Sequence, residues 1–512
     1  MSKKKPNILV IQADQLAPQA LSVYGHPLVN VPHIEALAER GVVFDNAYCN
    51  FPLCAPSRCS MLTGRYASAI RNWDNAVELP SSAPTMMHYL NDLGYSTTLC
   101  GKMHFIGPDQ LHGFKQRLTT DVYPSNYAWT PDWPNEPEFR PTGISMLPVV
   151  QSGKCVRSLQ IDFDDDVEAR GIQKIYDLAR YEQDDPFFLF VSFSHPHSPF
   201  TITEKYWDLF DHDQIDMPTV PMIPVEERDE HSKWLYYAHA NHLVDVTDEH
   251  IRTARHAYYG MVRYFDDKVG RLMEAMKATG LDEDTVIVIL GDHGEMLGER
   301  GMWYKQTFYE WSVRVPMIVS YPAAYPARRE DKLVSLVDLL PTFVDIASDG
   351  KPPEMIDPIA GNSLTGLLTG QDDDWSNEVI AEYTGEGIRA PCRMIRRDRY
   401  KYMYTHGYPG LLYDLEADPL ELENIAERPD MAETAAELRA AVLHDWDPEE
   451  VNRLCLESQR RRRFIYRSNG GEPYWAYTAA EDGDQKYIRN AGAAPTKAKA
   501  RLPYIEPVQL KE

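Results

Sequence analysis

The chain has 512 residues, 43% of them hydrophobic, and a formal net charge of -25. That balance excludes nucleic acid as a partner, because neutralising phosphates needs clustered Lys and Arg, and it opposes anionic surfaces at long range. The length admits one large domain with a smaller one beside it, and seven scattered cysteines show no disulfide framework, so a reducing, cytoplasmic setting is expected.

Along the chain, "MSKKKPNILVIQADQ" has a basic head, but its apolar run is short and no small-residue cleavage site follows. It reads as a buried strand ending in Asp14 and Gln15, not as a secretory signal. "HIEALAERG" is an amphipathic helix. "NFPLCAPSRCSMLTGR", Asn50 to Arg65, puts Cys54 in a polar, turn-forming setting. A free cysteine is ordinarily a small buried apolar residue; an activated thiolate is the alternative. A second strand, "TTLCGKMHF", ends in Lys102 and His104. Pro131 to Pro148 lacks a period and reads as a long loop over a site.

A third strand, "FFLFVSFSHPHSP", ends in His195 and His197. The long helix "RHAYYGMVRYFDDKVGRLMEAMKATG" leads to a fourth, "VIVILGDHGE", ending in Asp292 and His293, and "VPMIVSY" is a fifth. Continuous apolar strands alternating with helices predict an α/β domain over residues 1–376, with a mostly parallel sheet flanked by helices. From 377 short strands such as "RMIRRDRYKYMY" and "GLLYDLEADP", then a helix, predict a small α+β subdomain over 377–457. Residues 458–512, beginning "SQRRRRFIY", read as a C-terminal arm with weak periodicity. No run of ~20 apolar residues is present to span a membrane.

Four of these strands end in chemistry, and open α/β sheets bind ligands outside the carboxyl ends of their strands. Asp14, Gln15 and Asp292 offer hard oxygen donors and His293 a borderline nitrogen, a set that suits Ca²⁺ or Mn²⁺ better than zinc.

"CAPSR" followed by "LTGR" resembles the signature of the formylglycine-dependent sulfatase family, within the alkaline-phosphatase-like superfamily. "ADQ", "GKMH", "SHPHSP", "GDHGE" and "YKQTFYEWSVRVP" match the same family in order. The resemblance implies that a formylglycine-generating enzyme converts Cys54 into the aldehyde whose hydrate is the nucleophile. It implies that Asp14, Gln15, Asp292 and His293 hold a divalent metal, calcium before manganese; many sulfatases carry Asp where Gln15 stands and Asn where His293 stands. Arg58 is then expected to position residue 54, Lys102 and Lys305 to bind sulfate, and His104 to contact the hydrated aldehyde. His197, aided by Lys305, is expected to protonate the leaving oxygen, with His195 supporting the turn.

The run from Gly101 to Trp133 and the arm look like the choline-sulfatase branch. That implies a small sulfate monoester as substrate. Trp129 would supply an aromatic face, Glu386 a carboxylate for a quaternary ammonium, and Asn75 a further substrate contact. The arm departs from the branch beyond "RN", where an acidic stretch is expected and "AGAAPTKAKARLP" stands. It is expected to join copies into a homodimer or homotetramer, with Tyr474 and Trp475 as anchors. The alternatives are a phosphonate monoester or phosphate diester hydrolase, whose relatives typically lack the Lys-x-His of "GKMH", and an inactive binding scaffold if Cys54 stays unmodified.

Overall fold

Apolar residues run unbroken through the central strands because both sheet faces are covered. Ile8 and Val10 of the first strand enter one core, which takes in Met61, Leu62, Leu90 and Phe343 from helices Cys54–Thr63, Met86–Asp92 and Leu339–Ala347. Leu9 and Ile11 enter the other, with Ile34, Val167, Ile175 and Tyr258 from helices Pro32–Ala38, Leu159–Tyr181 and Asp248–Thr279. The computed structural model describes residues 5–136, 140–181, 185–348, 351–371 and 374–471.

The main sheet comprises β1 (Asn7–Ala13), β2 (Val42–Tyr48), β3 (Ser96–Gly101), β4 (Gln116–Arg117), β6 (Phe187–Ser192), β8 (Thr285–Gly291), β9 (Met317–Ser320) and β10 (Arg328–Ser335). A separate pair joins β5 (Gly153–Cys155) to β7 (Thr201–Thr203). The order across the main sheet is β10-β2-β9-β8-β1-β6-β3-β4. Only β9 runs against its neighbours. The chain returns from β8 to β9 without a crossover helix, which makes that pair antiparallel. The mostly parallel α/β sheet read from the sequence is therefore present, and all five anticipated strands lie in it. β2, the polar edge strand β10 and the two-residue edge strand β4 complete it.

Register decides where the chemistry falls. Ala13 pairs with Gly291, Gln12 with Ser192, and Ser192 with Gly101. The carboxyl ends of β8, β1, β6 and β3 are thus level, and the residues after each emerge at one edge.

A second sheet, β11 (Glu378–Tyr383), β12 (Cys392–Arg397), β13 (Tyr400–Thr405) and β14 (Leu411–Asp414), is an antiparallel meander. Helix Ala432–Val442 sets Leu438 and Val442 into the core shared with Ile395 of β12. Helix Pro448–Ser468 follows, its N-terminus capped by Asp447 accepting from Glu449 and Glu450 amides. It runs straight through residue 458, where the arm was expected to begin. Arg462 on its buried face makes a two-pronged ion pair with Asp74, both contacts 2.7 Å. An arginine facing inward masks the helical period, which is why the segment looks aperiodic in sequence. The body extends to Gly471 as one unit. Tyr474 and Trp475 lie outside the described residues. All seven cysteines are free. Among the described residues no helix is long and apolar enough to cross a membrane.

Candidate active site

Cys54 is the first residue of helix Cys54–Thr63. The next amide, Ala55 N, donates to Asn75 Oδ1 at 2.9 Å, so Asn75 fixes the helix start as well as lining the cavity. The thiol is 1% exposed and lies 3.2 Å from His293 Nε2 and 3.7 Å from Asp14 Oδ1. Burial, reinforced by Asp14, pushes it up to about 11 against the pull of Lys102 and Lys305.

Two wholly buried carboxylates face this sulfur. Asp292 Oδ1 accepts from the amides of Gln15 (3.0 Å) and His293 (2.9 Å), and Oδ2 from Arg58 Nε at 2.8 Å. Arg58 Nη1 donates to the Lys102 carbonyl and to Ser192 Oγ, both at 2.8 Å. One guanidinium thus ties the ends of β3, β6 and β8 together. Asp14 Oδ2 pairs with Lys102 Nζ. Burial alone would raise Asp14, but Lys102 and Arg58 hold it well below the usual carboxylate range. Gln15 has a left-handed backbone (φ 65°). Its Nε2 donates to Glu295, while Oε1 accepts from Lys305 Nζ at 2.5 Å, so its amide oxygen is turned to the site.

Ligand atoms of Asp14, Cys54, Asp292 and His293 all lie within 4.8 Å of one another. Two carboxylates, the Gln15 amide oxygen and one imidazole nitrogen fit a hard divalent cation. The residues present thus suit the metal that the resemblance implies.

His197 stands across the cavity. Its Nδ1 lies 2.6 Å from the Ser198 carbonyl, which can only accept, so Nδ1 carries the proton. Nε2 is left as acceptor for Lys305 Nζ at 2.8 Å. Burial and Lys305 keep the ring neutral by pushing it well below its usual value. His104 also has a left-handed backbone (φ 60°), fixed by its amide donating to Asp121 Oδ2 at 2.8 Å. Neither ring nitrogen has a partner among the described residues, and burial with Lys102 pushes the ring down to about 3. His195 is turned away: its Nδ1 lies 2.6 Å from Asp164 Oδ2, and its amide donates to the same oxygen.

A cavity of about 250 Å³ opens onto Cys54, lined also by Asn75, His104, His197 and Lys305. Its outer wall is Tyr123, Trp129 and Glu386, with Thr142 to Ser145 and Pro148 from the long loop. The centroids of the Tyr123 and Trp129 rings are 5.1 Å apart, and His104 lies 5.6 Å from Trp129. Glu386 is 4% exposed with Oε2 unpartnered among the described residues. Burial and Asp74 push it up to about 7. A larger hollow of about 850 Å³ lies between Tyr127, Ala128 and Thr130 and Arg460, Arg461, Arg463 and Arg467, and holds none of the anticipated residues.

Every anticipated catalytic, metal and pocket residue therefore falls in or beside one cavity. Tyr123 was missed. Its hydroxyl lies 3.1 Å from His197 Nδ1 and its ring 4.2 Å from Lys102 Nζ. The aromatic density of "DVYPSNYAW" was the available signal.

The family model for Sulfatase matches residues 6–349. N-sulphoglucosamine sulphohydrolase, C-terminal, matches 298–446, and Choline sulfatase enzyme C terminal matches 453–495. The chain is 39% identical over 503 residues to a choline-sulfatase of Rhizobium meliloti (strain 1021), covering 96% of this chain and 97% of that one. It is 29% identical over 452 residues to arylsulfatase K of Gallus gallus, covering 82% and 79%. Among solved structures it is similar to the phosphonate monoester hydrolase of Agrobacterium radiobacter, with TM-score 0.69 and 25% identity over 86% of this chain and 95% of that one. BT4656, solved with D-glucosamine-2-N,6-O-disulfate, shares the fold at TM-score 0.68 and 22% identity, covering 87% and 100%.

Proposed function

Since this chain belongs to the sulfatase family and is a sulfate ester hydrolase, we propose that its substrate is the sulfate monoester of a small cationic alcohol, choline sulfate, and that residue 54 works as formylglycine. One observation carries the substrate reading: Trp129, Tyr123 and Glu386 line the same small cavity as Cys54. Aromatic faces and a carboxylate are what a quaternary ammonium binds.

Asp14, Gln15, Asp292 and His293 would hold the divalent ion, calcium in preference to manganese, which supplies Lewis-acid polarisation of the nucleophile and a sulfate oxygen. The rest falls to the chain. Lys102 and Lys305 bind the sulfate oxygens and offset charge developing on them. Arg58 holds Asp292 and the end of β3 in place. A hydroxyl of hydrated residue 54 gives its proton to Asp14 as its oxygen attacks sulfur, and the S–O bond to the alcohol breaks. His197 takes a proton on Nε2 from Lys305, 2.8 Å away, and passes it to the departing oxygen. His104 takes the proton of the second hydroxyl, which expels sulfate and restores the aldehyde.

Maturation would need a formylglycine-generating enzyme. The seven free cysteines support a cytoplasmic setting. We assign residues 1–376 to catalysis and 377–471, which takes in all of helix Pro448–Ser468 and ends at Gly471, to the accessory subdomain. The arm is assigned to contacts in a homodimer or homotetramer.

A phosphonate monoester is the second reading, favoured by the shared fold and opposed by Lys102 and His104 at the end of β3. Turnover of choline sulfate, its neutral isostere 3,3-dimethylbutyl sulfate, an aryl sulfate and a phosphonate monoester, measured side by side, tests both. Choline sulfate is expected to have the highest kcat/KM; preference for the phosphonate overturns the assignment. Mass spectrometry of the peptide around Cys54 is expected to show loss of H₂S and gain of oxygen, and an unchanged thiol in active enzyme overturns the nucleophile.

A further inference from the structure

A second buried acid lies behind the head-group wall. Glu136 is 0% exposed, and neither of its side-chain oxygens has a hydrogen-bond partner among the described residues. Two contacts staple its segment to that of Glu386: Trp133 Nε1 donates to the Gly385 carbonyl at 2.9 Å, and Arg389 Nε donates to the Glu136 carbonyl. Gln459 of helix Pro448–Ser468 accepts from Trp133 N at 3.1 Å and pins the same loop. Both acids act on the buried Tyr383, whose hydroxyl donates to the Glu386 carbonyl at 2.7 Å.

A buried carboxyl with no donor in good hydrogen-bond geometry, only the amides of Gly387 and Asp132 nearby, is expensive to ionise and contributes nothing to packing that Gln would not. The charged groups around the pair are already engaged. Asp74 is paired with Arg462, Asp132 with Arg463, and Lys305 with His197 and Gln15. The Gln306 amide and the Gly387 N–H are the nearest neutral donors to Glu386 and Glu136. A cation entering between Trp129 and Glu386 would be the charge that this pair lacks.

We propose that Glu136 is a positioning residue for cationic substrates, acting through Glu386: its ionisation sets a second negative charge behind the first and sharpens preference for a cationic over a neutral alcohol. This rests on the reading of the pocket as a cation site. Burial and Glu386 push Glu136 up to about 8, above the value of about 7 for Glu386. Ionised Glu386 raises Glu136, so the upper step follows the lower one. A bound cation favours the ionised forms. Discrimination therefore grows as pH rises, first across 7 and again across 8.

The test is the KM of full-length, metal-loaded enzyme for choline sulfate and 3,3-dimethylbutyl sulfate between pH 6 and 9. For the wild type, the ratio of the neutral to the cationic KM is expected to rise about fivefold between pH 7 and 9. In Glu136→Gln the upper step is expected to vanish and the lower one to stay in place, because Glu136 is still protonated while Glu386 ionises. Glu136→Asp is expected to keep part of the upper step. A ratio of KM values does not respond to a general loss of folded protein. An unchanged profile in Glu136→Gln, with choline preference intact, overturns this inference alone. A wild type that never prefers choline sulfate overturns the pocket reading and this inference with it.

Calorimetry of choline binding to wild type, in two pH 7.5 buffers of different ionisation enthalpy, needs no variant. Proton release on binding choline, and none on binding 3,3-dimethylbutanol, is expected. Choline binding without proton release overturns the proposal.

Discussion

The two ends of the cavity are built on opposite rules. At the sulfur end the charges are spent on one another: Asp292 accepts from three donors, Arg58 reaches β3, β6 and β8, and Asp14 is paired with Lys102. At the alcohol end Glu386 keeps an oxygen without a partner and stands among rings. The first end is fixed before substrate arrives, which is how electrostatic stabilisation avoids reorganisation during reaction. The second is left incomplete, so a ligand of the right charge supplies the missing partner. Chemistry is arranged before the substrate binds; selectivity is completed by the protein and ligand together.

Breaking the fixed end should do the most harm. Cys54→Ala is expected to reduce turnover by about 10⁴-fold or more with little change in Tm; retention of most activity would remove residue 54 from the mechanism. Arg58→Ala leaves Asp292 unpaired in a buried site and is expected to destabilise the fold by about 3–5 kcal/mol. Arg58→Lys should recover little, since an ammonium cannot reproduce the three-way fork. Denaturant midpoints of the two variants check this, and full recovery by Lys would show that charge alone suffices. His197→Ala is expected to slow alkyl sulfates by about 10²–10⁴-fold and activated aryl sulfates far less. Equal losses on the two classes would end the proton-donor role.

The incomplete end should respond more gently. Glu386→Gln is expected to raise the KM for choline sulfate by about tenfold and to leave 3,3-dimethylbutyl sulfate nearly unaffected. In the parent enzyme the choline sulfate KM should fall as pH rises through about 7, because the carboxyl held up at that value ionises there. The stability effect has the opposite sign. A carboxyl raised on folding stabilises the protein only while protonated, so its contribution is lost as pH climbs through 7. Glu386→Gln should accordingly raise Tm at pH 8 and barely move it at pH 5; the reverse order would mean the carboxyl is ionised throughout. Truncation after Gly471 spares the Asp74–Arg462 pair that truncation at 458 would destroy. It is expected to dissociate the oligomer by light scattering and to change KM by a few-fold at most. An unchanged mass would move the subunit contact to the body.

The sulfur end was readable in the sequence because parallel strands of equal register deliver their last residues to one edge. Asp14, Lys102 and Asp292 each stand immediately after the last residue of β1, β3 or β8, so strand recognition alone brings them together. Glu136 and Tyr123 sit in loops without a period, and their places depend on contacts such as Trp133 with Gly385 that join residues remote in the chain. The edge strand β10, "RREDKLVS", is polar over its first half and lacks the apolar run by which buried strands are read. Helix Pro448–Ser468 was obscured by an inward arginine that only Asp74 explains.

At 1% exposure, Cys54 is sealed by the fold that it serves. On the proposed chemistry, a modifying enzyme can reach that sulfur only before helix Cys54–Thr63 packs against β1 and β8. Conversion and folding are therefore competitors in time. A molecule that folds first is stable, correctly shaped and permanently silent. The specific activity of a preparation then records the outcome of a race run once for each newly made chain. Supplying the modifying enzyme to finished protein would come too late.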